Sequence, residues 1–294
     1  MDEIALRYLD QGTVRIELPN LGIQEAKYSF VRTPPGVEKT GPTIFLVMGF
    51  VNDLGSMGNF IAQAVLEGRD VCVVGFPDSS QGKITPEFVK AVKETDSYKP
   101  YSDFYKRAID LFKDQLGEFE LWGYSTGCPI GAEILTDPKY QQMIKSAVFM
   151  NSAGSTPVGE LQFSLGVGIE FVRHLFKPGI LPRYSYVNRR KPGEDNIEGQ
   201  EQIKLKEESA DILMKKIRRR ADAWDRMRVA EGGKIMVVSG RADNITYSRR
   251  AHEVLKTRND QVHTLLLPGG HMDLITESQV LLPKILEFQK KINE

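Results

Sequence analysis

The chain has 294 residues, and its 39 Lys plus Arg are matched by 39 Asp plus Glu, so the formal net charge is zero. A chain of this size buries roughly three quarters of the surface it exposes when unfolded, so it needs no metal or disulfide staple. The charge balance excludes a protein whose affinity rests on surplus cations facing phosphates, and no nucleic-acid partner is expected. With 41% hydrophobic and 27% charged residues, wholesale disorder and multi-span membrane architecture are also excluded.

Cys72 and Cys128 lie far apart and form no zinc-ligand spacing, so each is expected to be a buried reduced thiol and no metal is expected. The start, Met1-Asp2-Glu3-Ile4, lacks the basic and apolar regions of a secretory signal. No apolar run approaches the ~20 residues of a membrane span. A cytoplasmic protein without integral membrane association is the expectation.

In chain order, Thr13 to Leu18 and Ala26 to Arg32 alternate apolar and polar residues around Pro19-Asn20-Leu21-Gly22, which predicts an antiparallel hairpin. Thr43 to Met48 and Val71 to Val74 are continuous apolar runs, the pattern of strands buried on both faces. Between them Phe60 to Leu66 reads as a helix closed by Gly68. Thr85-Pro86 opens the next helix as N-cap and first helical residue. Ser102 to Leu116 places Phe104, Ala108, Leu111 and Phe112 on one face and stops at Gly117. Further strands are expected at Glu118 to Trp122, Ser146 to Met150, Lys234 to Ser239 and His263 to Leu267, with helices at Ala251 to Lys256 and Pro283 to Ile292. This alternation predicts an α/β fold with a mostly parallel central sheet covered by helices on both faces.

One interruption, residues 155–230, shows no buried strand. Its first half, Leu161 to Leu175, is apolar, Arg189 to Glu208 is polar, and Leu213, Ile217, Ala221 and Trp224 then recur at helical spacing. It reads as an inserted helical lid between core segments 1–154 and 231–294, placed at the sheet edge where such folds bind ligands; a separately folding domain is the alternative. The basic run from Lys215 to Arg220 has acidic neighbours at helical spacing and is expected to be an ion-paired helix face.

Gly123-Tyr124-Ser125-Thr126-Gly127 is a G-x-S-x-G motif between a buried strand and a helix. Such a sharp turn lifts a serine hydroxyl out of the sheet, and its flanking positions are glycine because a Cβ there would clash. From here the chain resembles the α/β-hydrolase superfamily, in which serine, acid and histidine follow in that order after successive strands. Gly240-Arg241-Ala242-Asp243-Asn244 is similar to the family's acid turn, and Pro268-Gly269-Gly270-His271-Met272 to its histidine loop. The resemblance implies a Ser125, Asp243 and His271 triad, with backbone N–H groups of Phe50 and Thr126 as the oxyanion hole. Another position used for the acid in this family carries Asn151, and Asp273 is expected to cap or pair locally. His263 falls in a strand, and His252 in a surface-type helix.

The implied activity is that of a serine hydrolase cleaving a carboxylic ester or related acyl compound through an acyl-enzyme, carboxylesterase-like and without a cofactor. The apolar half of the insertion points to an apolar small-molecule acyl substrate, with Met48, Tyr124, Phe163, Phe171, His174 and Met272 as candidate contacts. Serine at the turn counts against the dehalogenases and epoxide hydrolases of this fold, which use aspartate. Thioesterase, acyltransferase, carbon–carbon bond hydrolase, cofactor-free haloperoxidase and a non-catalytic ligand-binding protein remain the alternatives.

Overall fold

A computed structural model of the chain describes residues 9–49, 56–79, 81–175 and 197–293. Strands β1 (Leu9–Leu18) and β2 (Gly22–Val31) form the hairpin, with Asn20 at a φ of +63° in its turn. There follow β3 (Thr43–Val47), α1 (Gly58–Leu66), β4 (Val71–Val74), α2 (Pro86–Glu94), α3 (Lys99–Leu116), β5 (Phe119–Tyr124) and α4 (Gly127–Ile134). Then come α5 (Pro138–Met143), β6 (Ser146–Met150), α6 (Glu160–Leu175), α7 (Ile197–Lys216), α8 (Ala223–Arg226) and β7 (Lys234–Gly240). The chain closes with α9 (Ala251–Arg258), β8 (Val262–Leu267), α10 (Asp273–Thr276) and α11 (Ser278–Asn293).

The eight strands form one sheet in the order β1-β2-β4-β3-β5-β6-β7-β8. β2 runs antiparallel to β1 and β4, and all other neighbours are parallel. Every residue of β3, β4, β5 and β6 is buried. Alternate side chains of a strand point to opposite faces, so this pattern requires cover on both sides. Helices supply it: α3 packs with α4, and α1 with α11. The register pairs Val47 with Gly123, Tyr124 with Met150, Met150 with Val238 and Gly240 with Leu267. The C-terminal ends of these strands therefore lie side by side, and the loops leaving them share one edge.

At the opposite end, Glu120 is buried with Arg69, whose Nη2 lies 2.5 Å from Glu120 Oε2. Trp122 Nε1 donates to the same oxygen at 3.0 Å and Gln289 Nε2 to the other at 2.7 Å. A buried carboxylate with donors on both oxygens avoids the several kcal/mol that an unpaired interior charge costs.

Local signals behave as their chemistry dictates at several caps. Thr85 Oγ1 accepts from Phe88 N–H with Pro86 at the first helical position, and Gly68 takes a φ of +77° just beyond α1. Four expectations need correction. Leu111 is 60% exposed, because the buried stripe of α3 is centred on Tyr101, Phe104, Tyr105, Ala108, Ile109 and Phe112. α11 starts at Ser278, not at Pro283, which lies inside it, since the packing of Leu281, Leu282 and Ile285 extends the helix past the proline. The basic run is not one helix face: α7 ends at Lys216, whose Nζ is turned inward onto the carbonyls of Thr95 and Ser97. The arginines beyond it pair with Glu160, Asp96 and Asp225. His252 is half-buried rather than solvated, and that burial lowers its pKa.

Within 155–230, α7 is pinned to the rest of the molecule. Ser209 Oγ donates at 2.9 Å to Asp78 Oδ2, which also accepts from Tyr101 Oη at 2.5 Å, and all three side chains are buried. Gln202 exchanges two hydrogen bonds with the Ile84 backbone. Leu213, Ile217, Trp224, Met227 and Val229 lie in the main hydrophobic core. α6 differs: Leu161, Leu165, Val167, Ile169 and Val172 are exposed on it, while Phe163, Gly166 and Glu170 are buried.

Candidate active site

β5 turns into α4 at Ser125, whose φ of +51° is a left-handed conformation that costs a non-glycine residue of the order of 1–2 kcal/mol. Three backbone bonds hold it: Ser125 N–H donates to Met150 O at 2.9 Å, and Ser125 O accepts from Cys128 and Ala153 N–H at 3.1 and 3.2 Å. A Cβ at Gly123 would lie 2.9 Å from both Gly127 O and the Phe149 ring. At Gly127 it would overlap Val47 O, the last residue of β3. The glycines of the motif are thus required by close backbone approach, as the turn chemistry predicts. Ser125 stays partly open, while Tyr124 and Thr126 on either side are buried.

The loops after β7 and β8 bring two more side chains to this serine. His271 Nε2 stands 2.9 Å from Ser125 Oγ, and His271 Nδ1 stands 3.1 Å from Asp243 Oδ1. Ser125, His271 and Asp243 therefore form one continuous hydrogen-bonded chain. Asp243 is fully enclosed, and burial alone would raise its pKa. The charge of His271 outweighs that burial together with hydrogen bonds from His271 and Thr246, so the carboxyl is lowered to about 2. Its Oδ1 also accepts from the N–H groups of Ile245 and Thr246, and its Oδ2 from Thr246 Oγ1 at 2.6 Å and Ser248 Oγ at 2.8 Å. With its lone pairs so engaged, the carboxylate is held as an anion facing the imidazole.

Four further side chains hold the histidine loop. Asn151, at a φ of +47° just after β6, donates from Nδ2 to His271 O at 2.6 Å and to Gly270 O at 3.2 Å. Its Oδ1 accepts from Gly240 N–H at 2.7 Å, so one buried amide ties the end of β7 to the histidine loop. Tyr124 Oη donates to the same His271 carbonyl at 2.9 Å, and Asp273 Oδ2 accepts from Gly270 N–H at 2.7 Å as a local cap. His271 N–H is taken by Glu170 Oε1 of α6 at 3.0 Å. Asn151 occupies a strand-end position recognisable in the sequence, and Thr246 and Ser248 follow Asp243 at turn spacing. Glu170 carries no local signal.

The other expected residues fall in different places. Thr126 is the N-cap residue of α4, and its backbone N–H makes no hydrogen bond among the described residues. Phe50 lies outside the described residues, as do the side chains of Phe171 and His174 on α6. Met48 is buried at the end of β3 with its Cε turned toward Gly75. Tyr124 is also buried, with its hydroxyl committed to the histidine loop; Met272 beside it is half-buried and Phe163 is buried. Both cysteines are buried free thiols, and burial pushes each pKa up. Among the described residues no group of three His, Cys, Asp or Glu side chains could hold a metal ion, and no helix is long and apolar enough to cross a membrane.

No protein-family model and no curated protein matches the sequence. Solved structures do. A bacterial membrane phospholipase A, described as a virulence factor, is 14% identical with a TM-score of 0.64, covering 99% of this chain and 89% of that one. An esterase from Thermogutta terrifontis is 15% identical at a TM-score of 0.60, over 96% of this chain and 100% of that one. The 2-hydroxy-6-oxo-6-phenylhexa-2,4-dienoate hydrolase from a Rhodococcus species is 12% identical at 0.63, over 95% and 99%. Strand order, crossovers and these likenesses agree: the chain has the α/β-hydrolase fold.

Proposed function

We propose that the protein is a serine hydrolase that cleaves a carboxylic ester or related acyl compound through an acyl-enzyme. The observation that carries this reading is the chain Ser125 Oγ, His271 Nε2, His271 Nδ1, Asp243 Oδ1, with links of 2.9 and 3.1 Å. In it His271 takes the Ser125 proton as Oγ attacks the carbonyl carbon, while Asp243 fixes the tautomer with Nδ1 protonated and stabilises the imidazolium. The N–H of Thr126, with that of Phe50 as its partner after β3, receives the oxyanion; each such donor lowers the barrier by roughly 2.7–4 kcal/mol. His271 then gives its proton to the leaving group. Water, deprotonated by the same imidazole, releases the acid and restores Ser125. No step requires a cofactor.

In this reading residues 155–230, of which α6 reaches the histidine loop through Glu170, act as the lid that sets acyl selectivity, and the site takes an apolar small-molecule acyl substrate. The esterase and phospholipase names among the structural neighbours support an ester rather than an amide. Turnover of p-nitrophenyl esters of graded acyl length, beside a thioester and an anilide, tests the reading. Saturable ester hydrolysis abolished in Ser125→Ala is expected. A protein inert toward every acyl donor, or one whose turnover survives Ser125→Ala, overturns it.

A further inference from the structure

The histidine loop is gripped from both sides. Its carbonyl at His271 is held by Asn151 and Tyr124, at the ends of β6 and β5, but its N–H at His271 is held by Glu170, about a hundred residues upstream on α6. α6 also touches the acid turn. A Cβ on Gly166 would overlap the Asn244 carbonyl and stand 3.1 Å from Ile245 N, the donor whose hydrogen goes to Asp243 Oδ1. Gly166 and Glu170 are four residues apart, and Phe163 three before Gly166, so all three share one helix face. That face is buried, with Phe163 in the hydrophobic core, while Leu161, Leu165, Val167, Ile169 and Val172 are exposed. Among the described side chains of α6 one large apolar residue, Phe163, is buried, so the helix is not seated by hydrophobic burial alone. Beside Phe163, what seats it is close backbone approach at Gly166 and the hydrogen bond that Glu170 accepts from His271 N–H.

We propose that Glu170 is a positioning residue for the proton-transfer step, holding the His271 backbone through its N–H so that Nε2 stays within reach of Ser125. The assignment rests on the reading of Ser125, His271 and Asp243 as the catalytic chain. It gives residues 155–230 a second task beside covering the substrate: α6 completes the hydrogen bonding of the loop that carries the base. Any acyl substrate is affected alike, because the contact is to the histidine backbone and not to the acyl group. Replacement therefore lowers kcat and leaves KM for a small ester near its wild-type value.

The test uses the full chain as wild type, Glu170→Asp and Glu170→Gln. Aspartate keeps the carboxyl group but is one methylene too short to reach the His271 N–H, while glutamine keeps both reach and an acceptor oxygen. Each protein is followed by p-nitrophenyl acetate turnover and by the rate at which a fluorophosphonate labels Ser125, with unfolding midpoints measured alongside. Misplacing a catalytic group by an ångström costs up to about a hundredfold, so Glu170→Asp is expected to lose roughly ten- to a hundredfold in kcat and labelling rate, with KM within about threefold. Glu170→Gln is expected within about threefold of wild type in all three, as follows from retaining the hydrogen bond. A wild type that takes no label overturns the hydrolase reading itself. A labelled wild type with Glu170→Asp equally fast, or with Glu170→Gln as slow as Glu170→Asp, overturns the role of Glu170 alone.

Discussion

Replacing Asn151 with alanine removes four hydrogen bonds at a fully buried point: two to the carbonyls of Gly270 and His271, one from Gly240 N–H and a long one from Ser248 Oγ. The His271 carbonyl keeps Tyr124, but Gly240 N–H and Gly270 C=O lose this partner. Leaving a buried polar group unsatisfied costs about 1–3 kcal/mol. The φ of +47° adds about 1 kcal/mol, because asparagine adopts left-handed backbone more readily than alanine. Asn151→Ala should therefore lose about 3–7 kcal/mol of stability. Urea unfolding followed by the fluorescence of the two buried tryptophans, Trp122 and Trp224, measures it. With a slope of about 3 kcal/mol/M for a chain of this length, the midpoint falls by at least about 1 M. Whatever fraction remains folded should also turn over more slowly, since the histidine loop has lost its tie to β7. A stability loss below about 1 kcal/mol, with turnover unchanged, would refute the claim that this amide organises the site.

Asp243→Asn should lower kcat by about 10⁴ while the fold persists, because asparagine offers the imidazole the wrong tautomer; near-normal turnover would place the acid elsewhere. The same variant tests the lowered pKa of Asp243. A carboxyl at about 2 in the folded protein against 3.8 unfolded contributes about 2 kcal/mol that is fully present above pH 3.8 and is lost as pH falls toward 2. Wild-type stability measured across that window should therefore fall more steeply than that of Asp243→Asn, and parallel curves would contradict the assignment. Glu120→Ala, far from the site, leaves the buried Arg69 guanidinium without its counter-ion and should cost about 3–5 kcal/mol by the same urea assay, with the kcat of the folded enzyme unchanged. A loss under 1 kcal/mol would mean that water reaches Arg69.

Continuous apolar runs made the central strands legible, because a strand covered on both faces needs no alternation. The turn at Ser125 was legible because its glycines answer a local steric demand. The loops carrying Asp243 and His271 were legible because each directly follows an expected strand, although β8, at the sheet edge, is only partly buried. Helix ends were harder where tertiary packing overrides local chemistry: Pro283 reads as a start, yet the buried Leu281 and Leu282 carry α11 past it. α6 was readable as apolar, but not which way it faces. Its orientation is set by Gly166 against Asn244 and Glu170 against His271, contacts between segments about eighty and a hundred residues apart that leave no periodic trace. Asn151 was visible as a residue that is not an acid. Its role as a bridge depends on partners at the end of β7, in the acid loop and in the histidine loop.

The central claim is that Ser125 is a nucleophile activated by His271. Incubating the full chain with a fluorophosphonate and mapping the adduct by mass spectrometry tests it most directly. One covalent adduct on Ser125 is predicted, absent from Ser125→Ala and formed far more slowly in His271→Ala. A folded protein that takes no label, or labels equally well without Ser125, would contradict it.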